Sequence, residues 1–140
     1  MILIQVIGAF IAVIAVAVMF GVPKKFLIYS GLVGAVGWLV FLLLKNAGCS
    51  TIFSMFFATQ LVALISHSFA RIFKTPVTLF LIAGILPLVP GVGMYQIVYN
   101  LITNNNSLAG FYFSETIQIA GMIALAIFIM DSIFRIAQKN

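Results

Sequence analysis

Acidic residues are almost missing from this chain. There are two in 140 positions, Glu115 and Asp131, against seven lysines and arginines. Charged side chains make up 6% of the sequence, whereas a water-facing surface carries about 25–35% of them. A soluble domain is therefore excluded, and the composition defines an all-α integral membrane protein. One cysteine, Cys49, excludes an internal disulfide and has no partner spacing for a metal; it reads as a small residue in a short loop. One histidine, His67, has no second histidine or nearby cysteine to complete a metal site. No nucleophile stands beside a base, no glycine loop precedes a basic residue, and no carboxylates pair at a workable separation. Enzymatic activity and a bound cofactor are not expected. The basic residues lie singly or in pairs between apolar runs, so they read as topology signals and not as a nucleic-acid surface. The first apolar run lacks a basic leader and is long enough to span, so no cleavable signal peptide is expected. The triplet Asn105-Asn106-Ser107 matches a glycosylation sequon by chance.

What the chain does have is apolar length: 64% of it is hydrophobic and its mean hydropathy is +1.29. Five apolar segments, about 2–20, 26–44, 51–70, 76–102 and 112–134, approach or exceed the ~20 residues that cross a bilayer. The spacing predicts five transmembrane helices in a single membrane domain, 1–140, joined by short breaks at 21–25, 45–50, 71–75 and 104–107. Lys24, Lys25, Arg71, Lys74, Arg135 and Lys139 fall on one side and Lys45 on the other. This bias predicts an outer N-terminus and a cytoplasmic C-terminus. Thr75-Pro76 reads as an N-cap and a first-turn proline opening the fourth helix.

That fourth segment is interrupted. Between Gly84 and Gly93 stand Pro87 and Pro90 with three glycines, at 84, 91 and 93. The prolines lack N–H groups, so the carbonyls of Ala83 and Leu86 are expected to lose their i+4 donors. Leu86 and Val89 precede prolines and are expected to be extended, with Gly91 and Gly93 letting the backbone turn and restart. Pro87 lies eleven residues after Pro76, roughly 16 Å along a helix and close to mid-bilayer. Broken backbone at that depth survives only inside protein or along a polar cavity, and discontinuous helices are how secondary transporters build substrate sites. The restarted helix is expected to leave the N–H groups of Gly91 to Met94 unpaired, a site for a carboxylate. The freed carbonyls would accept an ammonium or a cation. A zwitterionic amino acid or a dicarboxylate matches both. The substrate-binding set is Pro87, Pro90, Gly91, Gly93 and Tyr95, with Gln60 as the neighbour from another segment; Gln96, Tyr99 and Asn100 add polar groups nearby. The plainer alternative is a proline kink in a packed helix.

Elsewhere, Ser30, Gly31, Gly34, Ala35 and Gly37 form a groove suited to close helix packing, with Trp38 beyond it as a packing or interface residue. Gln60, His67 and Arg71 share a helical stripe. Asp131 and Arg135 are four apart and are expected to pair. Ionisable groups within spans are functional candidates, which makes His67 and Asp131 proton-coupling candidates. Snorkelling or a structural pair is the other account of these two and of Glu115.

The chain resembles the small-subunit type of the threonine/serine exporter family. The likeness is carried by Phe20-Gly21-Val22-Pro23 with Lys24-Lys25, Ser30-Gly31 through Gly34 to Gly37-Trp38, and Ser50-Thr51-Ile52-Phe53. It continues through Ala70-Arg71, Pro76, and Ile85 to Gly91 with Tyr95. It covers about Phe20 to Asn100; the last segment agrees in hydropathy and position. The resemblance implies an exporter subunit in a bacterial plasma membrane. It would work with a larger five-span subunit that carries a cytoplasmic domain, unless one chain holds both halves. Threonine and serine are the implied substrates, or, as in one split bacterial pair, a dicarboxylate. A structural or assembly subunit and a channel-like pore are the readings from other classes, the latter disfavoured by the scarcity of pore-lining charge.

Overall fold

The computed structural model describes residues 1–139, which form helices joined by short turns, with no strand among them. The helices are α1 (Ile2–Met19), α2 (Lys24–Asn46), α3 (Thr51–Phe73), α4 (Thr78–Ile85), α5 (Gly91–Ile102) and α6 (Asn106–Lys139), with a 3-10 turn at Leu86–Leu88 between α4 and α5. By length and apolar character α1, α2, α3 and α6 can each cross a membrane; α4 with its 3-10 turn and α5 are bent by 48° at the break and bring the count to five if the pair is one span.

Four helices end by one device. A left-handed residue, namely Gly21, Gly48, Lys74 or Asn104, follows the last turn. The N–H after it then reaches back across the turn: Val22 to Ala17, Cys49 to Leu44, Thr75 to Ala70 and Asn105 to Asn100. This closure satisfies carbonyls that a helix end would orphan. Lys74 adopts φ 53° without glycine's freedom. Ser50 caps α3 by accepting the Phe53 N–H at 3.4 Å. Thr75-Pro76 does not open α4 as the sequence predicts. Helix α4 begins two residues later, and the buried Thr75 Oγ1 has no hydrogen-bond partner. The last helix also exceeds its expected bounds of 112–134: it starts inside the expected loop, at Asn106, and its 34 residues extend roughly 51 Å.

Close approach of backbones organises the bundle. A Cβ on Gly31 would lie 2.8 Å from Ile14 and Phe10, and one on Gly34 would collide with Val13, so α1 beds into the α2 groove. Gly37 receives Val62 of α3, and Gly84 of α4 would place a Cβ 2.6 Å from Val33 of α2. Packing thus accounts for the small-residue groove. Helix α4 is wedged onto α2 and α3, whereas α5 rests on α6 alone; the backbones of α4 and α6 do not approach closely. Phe80 and Leu88 are fully buried. Ring contacts between Phe26 and Phe73, and Arg71 over the Phe134 ring, bring Lys24, Lys25, Arg71, Lys74 and the end of α6 to one end of the bundle. Lys45 bonds Thr51 at the other.

Candidate functional site

The interruption is milder in its hydrogen bonding than proline chemistry alone dictates. Leu86 stays in the right-handed helical region (φ −54°, ψ −43°) despite preceding Pro87, because the chain tightens into a 3-10 turn instead of extending. In that turn Leu86 N–H donates to Ala83 and Val89 N–H to Leu86, so both carbonyls expected to be freed are occupied. Val89 is extended, as its following proline requires (φ −62°, ψ 131°). On the far side, Gly91 N–H donates to the Val89 carbonyl at 2.7 Å and Met94 N–H to Pro90 at 3.1 Å. Of the four donors expected at the start of α5, Val92 and Gly93 alone lack a backbone acceptor. Neither Gly91 nor Gly93 has positive φ, so the restart does not depend on a left-handed backbone. What they provide is space. A Cβ on Gly93 would collide with the Thr116 hydroxyl of α6, while Gly91 has nothing within 4 Å.

A cavity of about 260 Å³ opens at this break. Trp38 and Phe41 of α2 and Thr51 and Met55 of α3 form one side; Tyr112, Glu115, Thr116 and Ile119 of α6 form another; Pro87 and the stretch from Val89 to Gly93 complete it. Pro87, Pro90, Gly91 and Gly93 thus line this cavity together. Gln60 and Tyr95 do not join them. Tyr95 stacks on Tyr99 at 6.0 Å between ring centres, and both rings face outward. Asn100 turns back on its own helix, donating to the Gln96 carbonyl at 2.7 Å. The residues not foreseen at this place are Glu115 and Thr116. Glu115 is half-buried, and Thr116 is 7% exposed. An uncapped helix start, a carboxylate and hydroxyls thus line one cavity otherwise walled by apolar side chains. Trp38 and Pro87 also border a neighbouring cavity of about 430 Å³ against α1, where Gln5 is the polar side chain.

The second candidate pair lies at the end where the basic residues gather. His67 Nε2 is 3.9 Å from Asp131 Oδ1, and Asp131 Oδ2 accepts from Arg135 Nε at 2.8 Å. The His67 ring stacks on Phe134 at 4.6 Å, and Arg71 both donates to the Phe134 carbonyl at 3.0 Å and lies over its ring. The expected Asp131–Arg135 pair is present. These contacts clasp α3 to α6, and they supply a structural reason for each ionisable group.

Helices long and apolar enough to cross a bilayer several times define a multi-pass membrane protein. The chain belongs to the threonine/serine exporter family, whose model, described as Threonine/Serine exporter, ThrE, matches residues 5–133. Over 94 residues, 67% of this chain, it is 28% identical to an "Uncharacterized protein" of Haemophilus influenzae, of which the match covers 32%. The chain thus spans about one third of the length of that curated relative. No solved structure matches it.

Proposed function

We propose that this chain is the smaller subunit of a two-chain exporter of small amino acids, threonine and serine above all, in a bacterial plasma membrane. In this reading α4 and α5 form one broken span, the fourth of five, with the break near mid-bilayer. The observation that carries the reading is the cavity where the unpaired Val92 and Gly93 N–H groups share a lining with Glu115. The two donors and the start of the helix dipole suit a carboxylate. Glu115 suits an ammonium, and Thr51, Tyr112 and Thr116 offer hydroxyls to a hydroxylated side chain. Glu115 also argues against the dicarboxylate alternative, because a second anionic group would meet a like charge. The outward face of α5, with Val92, Tyr95, Val98 and Ile102 all more than half exposed, is the surface offered to a larger five-span partner with a cytoplasmic domain. The relative's greater length leaves room for such a second half within one chain.

The test is flux through the chain co-expressed with its partner. Pro87→Ala with Pro90→Ala restores ladder donors and closes the site. Loss of one charge-assisted hydrogen bond at a buried site costs about 1.5–3 kcal/mol, so export should fall roughly ten- to 150-fold while membrane abundance and partner pull-down hold. Glu115→Gln should weaken amino-acid export and, by removing the like charge, ease passage of a dicarboxylate. Normal export by the double alanine variant would reduce the break to a packing kink and return the chain to a structural subunit. Orientation is tested separately: in a Cys49-free chain, a cysteine at Asn105 should react with an impermeant thiol reagent from outside and one at Lys139 should not, and the reverse labelling would overturn the outer N-terminus.

A further inference from the structure

Helices α4 and α6 both pack on α3 without close approach of their own backbones, so a groove runs between them with α3 as its floor. Its two sections share His67 and Val77. One, of about 480 Å³, is walled by Leu81 of α4 and Ala124, Ile127 and Phe128 of α6. The other, of about 310 Å³, carries Arg71, Lys74, Thr75 and Gln138. The longer section is thus mostly apolar, with His67, Thr78 and Asp131 on its wall, and the groove is cationic at one mouth. Lys74 is exposed and forms no ion pair among the described residues. Arg71 commits one N–H to Phe134, and a guanidinium has others to give. Thr75 Oγ1 is buried without a partner at the same mouth. The carboxylate nearby, Asp131, lines the apolar section and is held by Arg135, so it leaves the charge of Arg71 and Lys74 uncancelled.

We infer that this groove binds an anionic phospholipid, its phosphate on Lys74, Arg71 and Thr75 and one acyl chain along Leu81, Ile127 and Phe128. Charge and apolar surface coincide in one channel, which matches the two parts of a single lipid; basic pockets between membrane helices recognise head groups in this way. A free phosphate would use the mouth and ignore the apolar section. The position is distinct from the break cavity, so lipid binding and export can be tested independently.

The chain purified in mild detergent is equilibrated with phosphatidylcholine vesicles with or without phosphatidylglycerol, and bound lipid is read by native mass spectrometry. Phosphatidylglycerol should be retained in preference. Lys74→Asn keeps a residue that tolerates the left-handed backbone and should lower that preference roughly five-fold, the effect of about one basic residue near a membrane surface. Ala124→Trp should fill the apolar section and release the lipid with Lys74 intact. Equal retention of both lipids, an unchanged preference in Lys74→Asn, or displacement by inorganic phosphate at millimolar concentration would each overturn the assignment. So would loss of lipid whenever the larger subunit is bound.

Discussion

The two helices on either side of the break differ both in sequence and in surroundings. Helix α4 is held by α2 and α3, with Phe80 and Ala83 at 0% and 1% exposure. Helix α5, beyond the 48° bend, touches α6 only and buries Asn100 alone among its residues. After Thr78, α4 is apolar throughout, whereas α5 carries Tyr95, Gln96, Tyr99 and Asn100 and rests on a different neighbour. One half is fixed to the core and the other carries the donors, so the rigid half positions the break while the exposed half presents it.

This contrast can be broken at matched glycines. Gly84→Leu should be the most damaging change, since its Cβ would come within 2.6 Å of Val33 and 3.3 Å of Val62. Overpacking of this kind costs about 1–3 kcal/mol or more, read as reduced membrane abundance and lower thermal stability in detergent. Gly91→Leu, in open space, should leave stability nearly unchanged and cut export by blocking approach to the Val92 and Gly93 donors. Equal destabilisation by both variants would mean that α5 is as tightly held as α4. Gly93→Leu cannot sharpen the contrast, because its side chain would also strike Thr116. The smallest effect is expected at His67→Ala. Loss of its stack on Phe134 should cost about 1 kcal/mol in melting experiments, with the pH profile of export retained. A lost pH dependence would instead make His67 and Asp131 a proton relay.

Much of the architecture is legible in the sequence because membrane helices leave few choices. Apolar length gives the segments, Gly31, Gly34 and Gly37 give the helix contacts, and the four-residue spacing gives the Asp131–Arg135 pair. Pro87 and Pro90 fall at the 48° bend between α4 and α5. What they cannot reveal is that a 3-10 turn reassigns the Ala83 and Leu86 carbonyls to donors three residues on. Gln60 shows where depth alone misleads: it sits mid-segment, but the cavity lies along the face of α3 bearing Thr51 and Met55. Glu115 shows the converse. Counted from the end of its segment it belongs near a surface, yet the bend carries the break toward α6 and brings the cavity to it. The nearness of His67 to Asp131 has the same origin, since each stands four residues before an arginine on helices that prove to be neighbours.

The partner switch at the break also dictates an order of manufacture. Twelve residues are too few for α5 to be retained in a bilayer by its own hydrophobicity, and the helix that supports it is synthesised after it. While the ribosome is still making Gly110, the Val92 and Gly93 amides have no wall of α6 beside them, so the cavity at the break cannot exist until the C-terminal helix has been delivered and has folded back. A ribosome stalled before Thr116 would therefore hold a chain whose first three helices are assembled and whose site is not.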